Sequence, residues 1–293
     1  MRERFLYYLM PILKVLLFVF FIFLCLLPLH LTIEFNLIHF IKNYLTKELL
    51  VKGASVIAIL GALLMIFKFY PKLTFRCVFV AKENALSGFL KGNLIGFVLI
   101  AICAGLMSLS NTVAFSAGKI SIIIFLAYFI YFIFIALFEE LIFRTFPLFV
   151  LTERYSALLG ILINSILFGL IHFANPNFNW LAMLNISLAG ALFSTYTLLK
   201  RNISWAVGIH FSWNFAQGIL LGYKVSGLNI PGLLLATPIG KTYLSGGAFG
   251  IEGSIFCTLV LVILIVYLLF NYKIEPIKDS NFSEQLKKQI QTT

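Results

Sequence analysis

Three short polar constellations interrupt apolar stretches of this sequence, and general acid–base chemistry on a bound water is what they suit. The first is Glu139, Glu140 and Arg144, at the end of the run IIIFLAYFIYFIFIALFEELIF and just beyond it; the second is Phe168 with His172; the third is His210 with Asn214. Residues four apart share a helix face, so the spacing predicts that Glu140 meets Arg144 and that His210 and Asn214 face one direction. Glu139 is rotated about 100° from its neighbour, which gives the two acids different surroundings. One is neutralised by Arg144, and the other is left to work on water or substrate. Carboxylate, imidazole and amide groups together can activate water, move protons and stabilise an oxyanion.

The elements that carry these residues must be membrane helices. The chain has 293 residues, 61% of them hydrophobic and only 11% charged, with a mean hydropathy of +1.02. A soluble domain carries about a quarter charged residues. The deficit comes from apolar runs near the roughly 20 residues that cross a bilayer as helix, and in hydrocarbon such runs must be helical to satisfy their own backbone. The expected fold is all-α, a polytopic integral membrane protein of about eight transmembrane helices, at roughly 6–29, 51–69, 92–110, 120–151, 155–173, 179–199, 203–222 and 255–271. The first span reads as closed by Pro28, with Leu31–Ile41 interfacial, and no small-residue cleavage site marks it as a signal peptide.

At membrane depth an ionisable group is expensive and usually serves a cavity. Of the eleven acids, only Glu139 and Glu140 interrupt a span; the other nine are expected in loops, tails or the segment after the first span. His172 and His210 lie in the fifth and seventh spans. Folding the fourth and fifth spans at Thr152–Ser156 puts Glu139 and His172 at one level, about 24 Å from the turn at 1.5 Å per residue. His210 lies only about 14 Å from the Lys200–Arg201 turn, so the three meet only if the first hairpin projects farther. Asn164, Asn185 and Ser187 read as helix–helix hydrogen-bonding groups, and Gly169 as a point of close helix approach.

Charge orients the chain. With a cytoplasmic N-terminus, the inside collects Arg2, Arg4, Lys68, Lys72, Arg76, Lys82, Lys91, Arg154, Lys200, Arg201, Lys273, Lys278, Lys287 and Lys288, while the outside holds Lys42, Lys47, Lys52, Lys119, Lys224 and Lys241. The excess of Lys and Arg marks the cytoplasmic side, so both termini are expected there. The net charge of +11 then belongs to topology and anionic lipid. No clustered basic face with aromatics argues for nucleic acid. Cys25, Cys103 and Cys257 read as apolar fillers, and Cys77 sits in a basic loop.

The segments FEELIFR, FGLIH and HFSWN, in this order and each at helical depth, resemble the CPBP family of CAAX proteases and bacteriocin-processing or immunity enzymes, whose hallmarks are EExxxR, FxxxH and HxxxN/D. The later stretch Gly246–Ser254 also looks like a loop of bacterial members. The resemblance divides the chain into motif-free N-terminal helices at 1–117, a CAAX-protease-like core at 118–222, and a glycine-rich loop, last helix and polar tail at 223–293. It implies an intramembrane endopeptidase acting on a peptide or lipidated protein substrate, with Glu139, Glu140, Arg144, His172, His210 and Asn214 as its site.

In that reading Glu139 is the general base, His172 holds the water, His210 and Asn214 serve the oxyanion, and Glu140 and Arg144 orient the site. No cofactor is required. The alternative is a divalent metal such as zinc on Glu139, His172 and His210, a set that matches His₂Glu chemistry but shows neither HExxH nor an obvious second shell. Two other function classes compete: a non-catalytic immunity or scaffold protein of the same fold, and a proton-coupled transporter, which would call for inverted repeats and broken helices.

Overall fold

The computed structural model describes residues 2–274 and 277; Lys278, Lys287 and Lys288 of the polar tail lie outside them. Among the described residues ten α-helices follow in order: α1 (Arg2–Glu34), α2 (Tyr44–Phe69), α3 (Ala85–Leu109), α4 (Ile122–Phe143), α5 (Phe146–Arg154), α6 (Ala157–Ile171), α7 (Trp180–Lys200), α8 (Ser204–Phe215), α9 (Thr242–Ser245) and α10 (Ile255–Asn271). Strands β1 (Val113–Ala117) and β2 (Leu234–Pro238) form a small antiparallel ribbon at the end where α3 stops and α4 starts. Polar caps start several helices, each accepting a backbone N–H from the first turn: Asn43 for α2, Ser121 for α4, Ser156 for α6, Asn179 for α7 and Ser254 for α10.

Every expected span is helical, with three differences. Helix α1 runs through Pro11 and Pro28 to Glu34, so Pro28 does not close it and Leu31–Glu34 belong to the helix. Among the described residues six helices are long and apolar enough to cross a membrane, where about eight were expected. Of the other two, α8 has 12 residues and passes into a π turn at Ala216–Leu220, and α10 has 17. The fourth span is divided at Arg144–Thr145 into α4 and α5.

Pro147 explains that division. It lacks an N–H and would press on the carbonyl four residues back. That carbonyl, Phe143 O, instead accepts a 2.7 Å hydrogen bond from Asn164 Nδ2 of α6, whose Oδ1 in turn accepts from Ser194 Oγ of α7. A break in one helix thus becomes the polar tie between three. On the far side of α5, Lys14 of α1 pairs with Glu153 at 3.5 Å, both buried.

Helix α3 carries no motif yet fixes the depth of α8. Gly92 and Gly96 lie on the face that α8 covers, and a Cβ at either would overlap the Trp205 or Ile209 carbonyl. Small residues at this spacing let two backbones approach, and the Ile209 position so fixed is adjacent to His210.

Candidate active site

The three constellations meet where α4, α6, α7 and α8 cross. Glu140 and Arg144 are both fully buried, with Arg144 Nε 3.2 Å from Glu140 Oε2. The other carboxylate oxygen, Oε1, accepts from His210 Nδ1 at 2.8 Å. Arg144 Nη2 donates to Gly190 O at 3.2 Å, and its guanidinium lies over the Phe168 ring at 4.2 Å and near those of Phe193 and Phe143. Those faces suit a planar cation. Phe193 also stacks on the His210 ring at 5.2 Å.

His172 is the residue at which α6 ends. Its Nδ1 donates to Phe168 O at 2.8 Å, since a carbonyl can only accept. Phe168 therefore serves the site twice, by its carbonyl on His172 and by its ring on Arg144. In both histidines Nδ1 carries the proton given to a partner, so in the neutral rings Nε2 is the lone-pair atom. Both Nε2 atoms lie 3.8 Å from Glu139 Oε2, an oxygen without a direct hydrogen-bond partner among the described residues.

Asn214, one turn beyond His210, is buried and lines a cavity of about 20 Å³ together with His172, His210, Ser226 and Glu252. That volume holds about one water. Contacts thus link Glu139, Glu140, Arg144, His172 and His210, Asn214 shares a cavity lining with the two histidines, and Ser187 and Gly169 touch where α6 meets α7.

Two acids expected in loops are buried instead. Glu153 pairs with Lys14. Glu252, in a short turn before α10, accepts from Gln217 Nε2 at 2.8 Å, Ser226 N at 3.1 Å, Ser226 Oγ at 3.2 Å and Trp213 Nε1 at 3.4 Å. Burial pushes its carboxyl above the usual 4.5, and these donors oppose the rise. Asn185 of α7 holds the same turn through the Glu252 and Ser254 carbonyls at 2.7 and 2.8 Å. Sequence reading missed Glu252 because its partners lie up to 39 residues away; the one available sign was an acid inside a glycine-rich, otherwise apolar stretch.

For a metal the fit is mixed. Partners that orient both rings are present, though none was obvious in the sequence: Glu140 holds His210, and the Phe168 carbonyl holds His172. The spacing is slightly wide, since ligands about 2.0–2.2 Å from a tetrahedral ion lie about 3.3–3.6 Å apart and Glu139 Oε2 is 3.8 Å from each Nε2. No cluster of three His, Cys, Asp or Glu groups able to hold an ion occurs among the described residues.

Residues 121–216, from the cap of α4 through the end of α8, match the family model described as type II CAAX prenyl endopeptidase Rce1-like. No curated protein and no solved structure matches the chain.

Proposed function

Residues 121–216 carry a CPBP-family intramembrane-protease core of the CAAX type, and from that premise we propose that the chain hydrolyses a peptide bond of a membrane-associated substrate with water activated by Glu139. The observation that supports this most is the triangle of Glu139 Oε2 and the two Nε2 atoms. At 3.8 Å neither Nε2 makes a direct hydrogen bond with Glu139 Oε2, so a hydrogen donor shared between the carboxylate and a ring nitrogen would serve both. A water there donates to Glu139 and to His172 Nε2, leaving an oxygen lone pair for the substrate carbonyl.

Attack moves the water proton to Glu139 and charge to the carbonyl oxygen. Asn214 Nδ2 donates to that oxyanion; His210 Nε2 does so when its ring already carries a second proton on entering the step, a charge that Glu140 faces across the ring. Glu139 then delivers its proton to the leaving amine, giving a carboxylic acid and an amine. Glu140 and Arg144 touch no reacting atom. They hold the His210 ring and are positioning residues. Asn214, an uncommon zinc ligand and a good amide donor, fits this metal-free route better than zinc.

The decisive experiment is peptide cleavage, read by mass spectrometry, with purified protein in nanodiscs and its E139Q variant. Cleavage should vanish in folded E139Q and persist in chelator. Cleavage by E139Q overturns the assignment, and loss to chelator with restoration by zinc overturns the metal-free route. Biological function retained without cleavage would favour the scaffold reading.

A further inference from the structure

We propose that the depression formed by the α2–α3 segment, the start of α3 and the α7–α8 turn is a binding site for the phosphate-bearing headgroup of an anionic membrane phospholipid. It shares no lining residue with the catalytic cavity, so it is independent of peptide cleavage.

Hydrogen bonds between segments far apart in the chain hold the frame of this depression. Asn202, buried in the α7–α8 turn, donates from Nδ2 to the Ala81 and Glu83 carbonyls at 3.1 Å each, and its Oδ1 accepts from Ser204 N at 2.9 Å. Ile203 N donates to the Phe79 carbonyl at 2.9 Å. Phe79, Asn84 and Arg201 all hold positive φ, at 67°, 57° and 51°, a conformation that a non-glycine residue keeps only where its surroundings impose it. The depression measures about 630 Å³, within the range of small-molecule sites.

Its lining suits an anion. Arg76, Lys91, Lys200 and Arg201 converge on it from three segments, and Glu83 is the one carboxylate among the lining residues, paired with Arg76 at 3.3 Å where both are exposed. The Lys91 and Lys200 ammonium groups lie 5.9 and 5.0 Å from the centroid of the Trp205 ring, so the indole keeps both cations beside the depression. Asn84 starts α3 without a side-chain cap bond, and the helix N-terminus adds its own preference for negative charge. Position decides the source of the phosphate. Helices α2, α3 and α7 are long and apolar enough to span, which places their ends at headgroup level. On α3 the exposed Leu86, Leu90 and Leu94 form a stripe one turn apart, immediately beside Ser87 and Lys91 of the lining. Free phosphate would use the cations alone, whereas a phospholipid sets its headgroup on the cations and its acyl chains along the stripe. Basic pockets between transmembrane helices bind such headgroups.

Cys77 lines the same depression and is exposed, so its thiol reports occupancy. The full chain in detergent micelles is reacted with a maleimide, with intact mass as the readout and the C77S variant as baseline. Added phosphatidylglycerol should slow labelling of Cys77, while phosphatidylcholine and inorganic phosphate should not. K91Q/K200Q should need about 30-fold more phosphatidylglycerol for the same protection, at about fivefold per cation. K91R/K200R keeps the charge and should keep the protection, which separates lost charge from lost folding. K119Q/K241Q removes two exposed lysines elsewhere and should match wild type. Protection by inorganic phosphate equal to that by the lipid overturns the lipid assignment, and equal protection by phosphatidylcholine overturns the anionic selectivity. No protection in wild type, undiminished protection in K91Q/K200Q, or an equal loss in K91R/K200R or K119Q/K241Q overturns the site itself.

Discussion

His210 Nδ1 and Glu140 Oε1 are 2.8 Å apart although 70 positions separate them in the chain. The contact ties α8 to α4 and decides which nitrogen of His210 faces Glu139. In E140Q the amide no longer matches both cationic or N–H partners, and Arg144 loses its counter-charge in a buried site. We expect a stability loss of about 3–5 kcal/mol. Cleavage should drop about 10–100-fold, the usual effect of losing a group that orients a working imidazole. The pH–rate profile should shift as well, and an unchanged profile would mean that Glu140 only fills space.

Arg144 and Glu140 should show strong coupling. Removing one partner leaves the other as an uncompensated buried charge, whereas removing both does not. R144M and E140Q should each lower the unfolding midpoint in micelles, and the double variant should be more stable than the sum of the two losses. Simple additivity would show that the 3.2 Å contact has no energetic content. R144K should fare little better than R144M, because a lysine cannot match the guanidinium plane held over Phe168.

Gly96 offers a test of positioning from outside the motifs. A leucine there must displace α8 at Ile209, costing about 1–3 kcal/mol in strain. An ångström-scale shift of His210 should cost about 100-fold in cleavage. The control is G105A on the same helix, where a Cβ meets nothing within 4 Å, and it should leave both stability and cleavage unchanged. Equal effects of the two would remove α3 from the positioning argument.

Glu252 links pH to stability with a definite sign. Its folded-state pKa is raised by burial above the ordinary 4.5, so the native state holds the proton more tightly than the unfolded chain. The stability this contributes is fully present below the unfolded value and is lost as pH rises through the folded one. Thermal unfolding of wild type minus that of E252Q should show this decline over that window. Because Gln217, Ser226 and Trp213 all donate to the carboxylate, the glutamine variant should also be less stable at neutral pH, its amide meeting other donors. A flat difference curve would rule out this role for Glu252.

What could be read from sequence is what periodicity and local spacing encode. Apolar run length gives membrane helices, and four-residue spacing gives the Glu140–Arg144 pair and the common face of His210 and Asn214. Three ionisable segments at membrane depth point to a shared site. The tertiary structure decided what depends on partners far apart in the chain. It determined that Glu140 rather than Glu139 holds His210, and that Phe168 acts through its carbonyl as well as its ring. It also showed that Asn164 answers the break made by Pro147, that Gly96 sets the depth of α8, and that Glu252 is a buried hub rather than a loop acid. The physical reason is the reach of the forces involved. Helix formation and same-face pairing act within a turn or two of chain, whereas the direction in which a buried polar group spends its hydrogen bonds is fixed only once other helices have closed around it.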